Sequence, residues 1–262
     1  MSTVIIDKQT VHYEALGRGR PVLFLHGWIG SYRCWIPAMQ AISTYFRSYA
    51  IDLWGFGGSA RDPTRYLIAN QKDLIFHFMN EMNIQKTALI GHGLGAILSL
   101  MFTAEHPKMV DRIMAVSLSQ ENELINPLLF RSSPSELAEW LLGDTSEAEA
   151  VRKEALQADQ NAVLRALDNL RSIKLSELMK HCKKPCLFVN GINDPAISNP
   201  LEEKSTHYPP NFQHILFNQS GHFPMIDQHG KFNRLMFDFL YLGSGKNPSE
   251  LQLKDEWKRR LR

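Results

Sequence analysis

A chain of 262 residues, 44% hydrophobic and 21% charged, has ordinary globular composition and is long enough for a large core with an inserted subdomain. A net charge of +2 makes no strong electrostatic bid for nucleic acid, and none is expected as a partner. No apolar run approaches the roughly 20 residues needed to span a bilayer, so no transmembrane segment is expected.

The first residues, M-S-T-V-I-I-D-K, lack the basic and long apolar regions of a signal peptide. The cysteines are Cys34, Cys182 and Cys186. Cys182 and Cys186 enclose K-K-P, and neither a second pair nor a histidine set completes a tetrahedral zinc site. No metal is therefore expected, and a reducing cytoplasm is the simpler compartment.

In chain order, Val4–Ile6 and Val11–Ala15 read as short strands joined by the turn D-K-Q-T. Gly17 to Pro21 is punctuation. Val22–Leu25 is a continuous apolar run that suits a buried strand, ending at His26-Gly27-Trp28. A helix-like segment follows around Trp35–Tyr45, then a strand at Tyr49–Ile51 that ends in Asp52-Leu-Trp-Gly55-Phe-Gly57-Gly58-Ser59. Ile68–Met82 has helical period, with Leu74, Ile75, Phe78, Met79 and Met82 on one side. The strand Thr87–Ile90 runs into Gly91-His92-Gly93-Leu94-Gly95, and a helix is expected from Leu94 to about His106, stopped by Pro107. Ile113–Ser117 is another strand. Alternating strands and helices imply βαβ units and a mostly parallel sheet of about eight strands.

The pattern changes after Ser119. From Gln120 to Met179 no strand-like run occurs, while Ser135–Leu142, Glu147–Ala158 and Asn161–Leu170 favour helix. Ser135 and Ser146, each with a glutamate a few residues on, resemble helix starts. Residues 120–179 are therefore expected to form a helical cap inserted in a core of residues 1–119 and 180–245. Strands resume at Leu187–Val189 and His214–Phe217, a closing helix is expected from about Lys231 to Leu242, and 246–262 reads as a basic tail helix carrying Trp257.

Five strand ends carry the candidate chemistry: His26-Gly27-Trp28, Asp52, the turn at Gly93, Asp194 and His222. In an open α/β sheet, sites form at the carboxyl ends of the strands. The frame Gly91-x-Gly93-x-Gly95 matches the nucleophile elbow G-x-S-x-G, with glycine where the nucleophile belongs. It lacks the later glycine of a dinucleotide fingerprint, and no cofactor is expected.

With these motifs in this order, the chain resembles the α/β-hydrolase family over nearly its whole length. The resemblance implies that His222 is the general base, Asp194 its orienting acid and Gly93 the nucleophile position. It also implies that the backbone N–H groups of Trp28 and Leu94 are the oxyanion donors. Gly27, His92 and Phe223 are expected at the substrate pocket. Asp52 is expected to shape a loop without a catalytic role, and His26 to pack behind the oxyanion loop.

Glycine keeps the turn but supplies no attacking atom. Three readings follow. The chain is a serine-less hydrolase, natural or engineered, weakly active or inactive on a small, mostly apolar ester-like carbonyl compound. Alternatively it binds such a ligand without turnover. Or the His-Asp dyad performs lyase, oxygenase or water-activating chemistry without a covalent step. Cys34 and Ser31 are minor candidates for a substitute nucleophile.

Overall fold

The computed structural model describes residues 2–198 and 208–251. An eight-stranded sheet has the order β1-β2-β4-β3-β5-β6-β7-β8. Its strands are β1 (Ser2–Ile6), β2 (Gln9–Gly17), β3 (Arg20–Leu25), β4 (Phe46–Ile51), β5 (Thr87–His92), β6 (Val110–Val116), β7 (Cys186–Gly191) and β8 (Phe212–Phe217). β2 runs antiparallel to β1 and β4, and all pairs from β4 through β8 are parallel. Every residue of β5 and β7 is buried, as expected for strands covered on both faces.

The covering helices of the core are α1 (Ile36–Ile42), α2 (Ile68–Glu81), α3 (Leu94–Glu105), α8 (Pro224–Asp227) and α9 (His229–Tyr241). α1 packs against α9 and α2 against α3, which supplies a helical layer for each face. Between β6 and β7 lie α4 (Pro134–Leu141), α5 (Ser146–Ala155), α6 (Gln160–Leu170) and α7 (Leu175–His181). Among the described residues no helix is long and apolar enough to cross a membrane.

Several boundaries differ from expectation for local reasons. Asp7 and Lys8 take positive φ, so a two-residue turn closes the first hairpin and Gln9 and Thr10 join β2. The segment expected as a helix at Trp35–Tyr45 is a 3-10 turn, Tyr32–Trp35, followed by the short α1. The helix starts in the insert are earlier than read. Ser133, not Ser135, caps α4 through a reciprocal box with Glu136, and Thr145, not Ser146, caps α5. The closing helix begins at His229 rather than near Lys231, and α8 precedes it. α7 was not anticipated; it packs on α3 and crosses residue 179, where the cap was expected to end. In the expected tail, Pro248–Glu250 form a 3-10 turn, and the remainder from residue 252, Trp257 included, lies outside the described residues.

The insert is tied to the core at polar points. Tyr66 donates to Asp159 Oδ2 at 2.7 Å, and the Asp159 N–H donates to the Gly55 carbonyl at 2.8 Å. Ile125 and Ile197 form an antiparallel bridge, flanked by Asn126 N–H to Ala196 O at 2.9 Å. The segment that enters the insert therefore holds the chain just after Asp194.

Candidate functional site

β5 ends at His92, and Gly93 turns the chain into α3 with φ 49° and ψ −108°. That conformation penalises any side chain with a Cβ, and glycine meets it freely. The Gly93 N–H donates to Val116 O at 2.9 Å, which binds the turn to the end of β6. A Cβ on Gly95 would stand 2.2 Å from the Leu25 carbonyl oxygen, so the first turn of α3 presses directly on the end of β3. A Cβ on Gly93 would stand 2.7 Å from Cζ3 and 3.0 Å from Cε3 of Trp28. The indole of Trp28 thus rests over the position from which a side chain at residue 93 would project.

Asp194 lies in the turn after β7 and His222 in the loop after β8. Their side chains meet: His222 Nδ1–H donates to Asp194 Oδ2 at 2.8 Å, and both side chains are buried. The second carboxyl oxygen of Asp194 accepts from the Ala196 N–H at 2.9 Å. With Nδ1 committed as a donor, Nε2 is left as the acceptor nitrogen of His222.

The backbone of His222 is held from below. Its carbonyl accepts from His92 Nε2–H at 2.8 Å and from Ser117 Oγ–H at 2.7 Å. Ser117 has φ 50°, uncommon for a non-glycine residue, and its own N–H donates to Val189 O at 2.9 Å. The adjoining Gly221 N–H donates to Asp227 Oδ2 at 2.8 Å. Burial raises the Asp227 carboxyl above its ordinary range, against the lowering effect of that hydrogen bond.

The loop after β3 is organised by two buried side chains. His26 Nδ1–H donates to Gly27 O at 2.8 Å, and its Nε2 accepts from Leu53 N–H at 3.0 Å, tying the ends of β3 and β4 together. Asp52 accepts from Tyr32 N–H at 2.7 Å, Gly58 N–H at 2.9 Å and His12 Nδ1–H at 2.7 Å. Both residues thus hold loops in place, as expected. The N–H groups of Trp28 and Leu94 donate to no acceptor among the described residues.

Gly27, His92 and Phe223 pack together beneath this arrangement. A Cβ on Gly27 would lie 2.5 Å from His92 Nδ1, and the rings of His92 and Phe223 are 4.5 Å apart. All three are buried, and His92 is turned onto the backbone of His222. Cys34 donates to Ser31 O, burial pushes its thiol up, and Ser31 caps a 3-10 turn. Neither is activated for attack. Above the strand ends, Trp28, Ser119, Leu129, Leu170, Leu175 and Ile197 are among the residues lining a cavity of about 10 Å³, room for roughly one water.

Four contributors went unread in the sequence: His12, Ser117, Asp227 and the side chain of Trp28. Ser117 is the last residue of a strand that the sequence does show, so its place at the common edge was available as a signal. His12 and the Trp28 side chain carry none, because their partners lie far along the chain, and Asp227 carries none because its partners six and seven residues earlier sit in a loop without a periodic pattern.

Burial lowers the pKa of His26 and, further, that of His92 below the ordinary 6.5. Both stay neutral in the fold, while in the unfolded chain they take up protons as pH falls through about 6.5. The stability they contribute is complete above that pH and declines below it. Each adds a slope of up to about 1.4 kcal/mol per pH unit. Urea unfolding should therefore weaken from pH 6.5 to 5, and His92→Phe should make the slope shallower. An unchanged slope in that variant would contradict a neutral His92.

A profile of the alpha/beta hydrolase fold matches residues 20–154. The pimeloyl-acyl-carrier-protein methyl ester esterase of Vibrio campbellii is 24% identical, over 85% of this chain and 95% of its own. Among solved structures, an esterase from Exiguobacterium antarcticum superposes with TM-score 0.80 at 18% identity, covering 90% of this chain and 97% of its own. A serine-to-glycine mutant of the N-acyl homoserine lactonase AidH, in complex with N-hexanoyl homoserine lactone, gives TM-score 0.80 at 20% identity over 91% and 96% of the two chains.

Proposed function

The chain belongs to the alpha/beta hydrolase fold family, and from that membership we propose that it takes a small, mostly apolar ester-like carbonyl compound at the edge where Gly93, Asp194 and His222 meet. In this reading Gly93 stands at the nucleophile position, His222 is the general base, and Asp194 holds its tautomer and stabilises imidazolium. The Trp28 and Leu94 N–H groups receive the carbonyl oxygen as it becomes an oxyanion. The observation that carries the reading is the buried 2.8 Å contact between His222 and Asp194, at the strand edge that also presents a glycine elbow.

Without an attacking side chain no acyl-enzyme forms, and loss of a triad serine typically costs on the order of 10⁶ in kcat. The remaining route is hydrolysis by water. His222 Nε2 takes a proton from a water, its oxygen bonds to the carbonyl carbon, and the proton passes to the departing alkoxide. Turnover of p-nitrophenyl acetate and hexanoate is expected to be slow and to drop at least about tenfold in His222→Ala. Turnover equal in both proteins would exclude the base.

One observation favours binding over turnover: the Trp28 ring occupies the place where an attacking group would stand. The lactonase neighbour, a serine-to-glycine mutant with a lactone bound, supports ligand occupancy in a chain of this fold so altered. Three buried, free cysteines suit a cytoplasmic setting.

A further inference from the structure

Asp194 is placed by the turn that follows it. Its Oδ2 receives His222 Nδ1–H, and its Oδ1 receives the Ala196 N–H. The chain from Pro195 to Ser198 is held in turn by the segment that enters the insert. Asn126 binds it twice: its side-chain amide donates to Pro195 O at 3.1 Å, and its N–H to Ala196 O at 2.9 Å. Ile125 bridges Ile197, and the Ser198 N–H donates to Leu124 O at 2.9 Å. The Asn126 amide is the side-chain contribution to a seam otherwise made of main chain.

Four residues earlier the same segment is fixed to the insert. Asn122 Nδ2 donates to Ile173 O at 2.8 Å, and its Oδ1 accepts from the Leu175 N–H at 3.2 Å. Asn122 thereby spans the turn between α6 and α7. Residues 122–126 are a strap, with the insert at one end and the turn of Asp194 at the other. A carboxylate keeps its direction only while the backbone that carries it is held.

We propose that Asn126 is a positioning residue for the dyad: it pins the turn after Asp194 so that the carboxylate meets His222, and through Asn122 the seating of the insert sets that alignment. The inference rests on the dyad reading above and adds what aligns it.

The His222 Nδ1–H proton reports the contact in the full chain, with no turnover required. In ¹⁵N-histidine-labelled protein its exchange with water should be slow in the parent, and at least about tenfold faster in Asn126→Ser and in Asn122→Ala. Serine still caps the 3-10 turn Pro127–Phe130, as Asn126 does, but is too short to reach Pro195 as well. If Asn126→Ser does not fold, Asn126→Asp keeps the cap and also lacks the donor. Asn211→Ser is the control for a merely structural effect. Asn211 donates to Cys182 O and Lys184 O beside the start of β8, at the sheet edge opposite the dyad. Its loss should weaken the protein to urea and leave the His222 proton slow. Exchange at the parent rate in Asn126→Ser overturns the role of Asn126 and leaves the dyad standing. Exchange at the parent rate in Asn122→Ala overturns the link to the insert. Equal acceleration in Asn211→Ser overturns the proposal in favour of a general loss of stability. A proton already fast in the parent overturns the dyad reading and the proposal together.

Discussion

Gly93→Ser alone is expected to yield little esterase activity, and Gly93→Ser with Trp28→Ala a gain in kcat of about 10²-fold or more over the unmodified chain. The new Cβ would stand 2.7 Å from Trp28 Cζ3, at a backbone φ of 49°. Strain at such a φ costs about 1–3 kcal/mol, and overpacking against a buried ring a similar amount. The Trp28 ring must shift before a serine there can align with His222. Shortening Trp28 removes the ring but keeps the backbone N–H that would receive the oxyanion. The ring's loss leaves a void worth roughly 3–5 kcal/mol, so Trp28→Leu provides a second, better-filled background. The gain should be read on p-nitrophenyl acetate and hexanoate, and adding His222→Ala should return it to background. A folded double variant as inert as its parent would show that the dyad is not aligned with the elbow. A gain indifferent to His222→Ala would show that the new serine acts without it.

Asp52→Ala is expected to destabilise the protein by about 3–5 kcal/mol, the range for removing one partner from a buried charged cluster. Three donors converge on this buried carboxyl group, two of them, Tyr32 N–H and His12 Nδ1–H, themselves buried and the third, Gly58 N–H, nearer the surface. Removing the acceptor strands all three, which is worse than losing one ordinary hydrogen bond. Asp52→Asn keeps one acceptor oxygen and should lose less. Urea unfolding at pH 7 measures both. A loss under about 1 kcal/mol in Asp52→Ala would contradict the role given to this cluster. The effect should lie in stability rather than chemistry: in the serine-bearing double variant, Asp52→Asn should leave kcat within about tenfold, since Asp52 touches loops and not the dyad.

Sequence order carried much of the architecture. The inner parallel strands are buried on both faces, so Val22–Leu25, Thr87–Ile90 and Leu187–Val189 read as unbroken apolar runs. The candidate residues at the strand ends were locatable because each follows such a run directly or through a short loop. The family resemblance pairs Asp194 with His222, and their side chains meet at 2.8 Å. Helix starts were less legible. Ser133 and Ser135 offer similar cap chemistry, and Pro134 at the first helical position favours the earlier one.

By itself the sequence determined the alternation of strands and helices, the family, and a glycine at the turn after β5, because those are properties of residue identity and local period. Only the tertiary structure decided what fills the space that glycine leaves. Trp28 reaches Gly93 from another strand end, and its direction is set by a loop that His26 and Asp52 hold through contacts distant in sequence. The same is true of Ser117 and His92, which fix the His222 carbonyl across the sheet. Side-chain direction in loops follows from backbone torsions and long-range packing, and neither leaves a periodic trace in the chain.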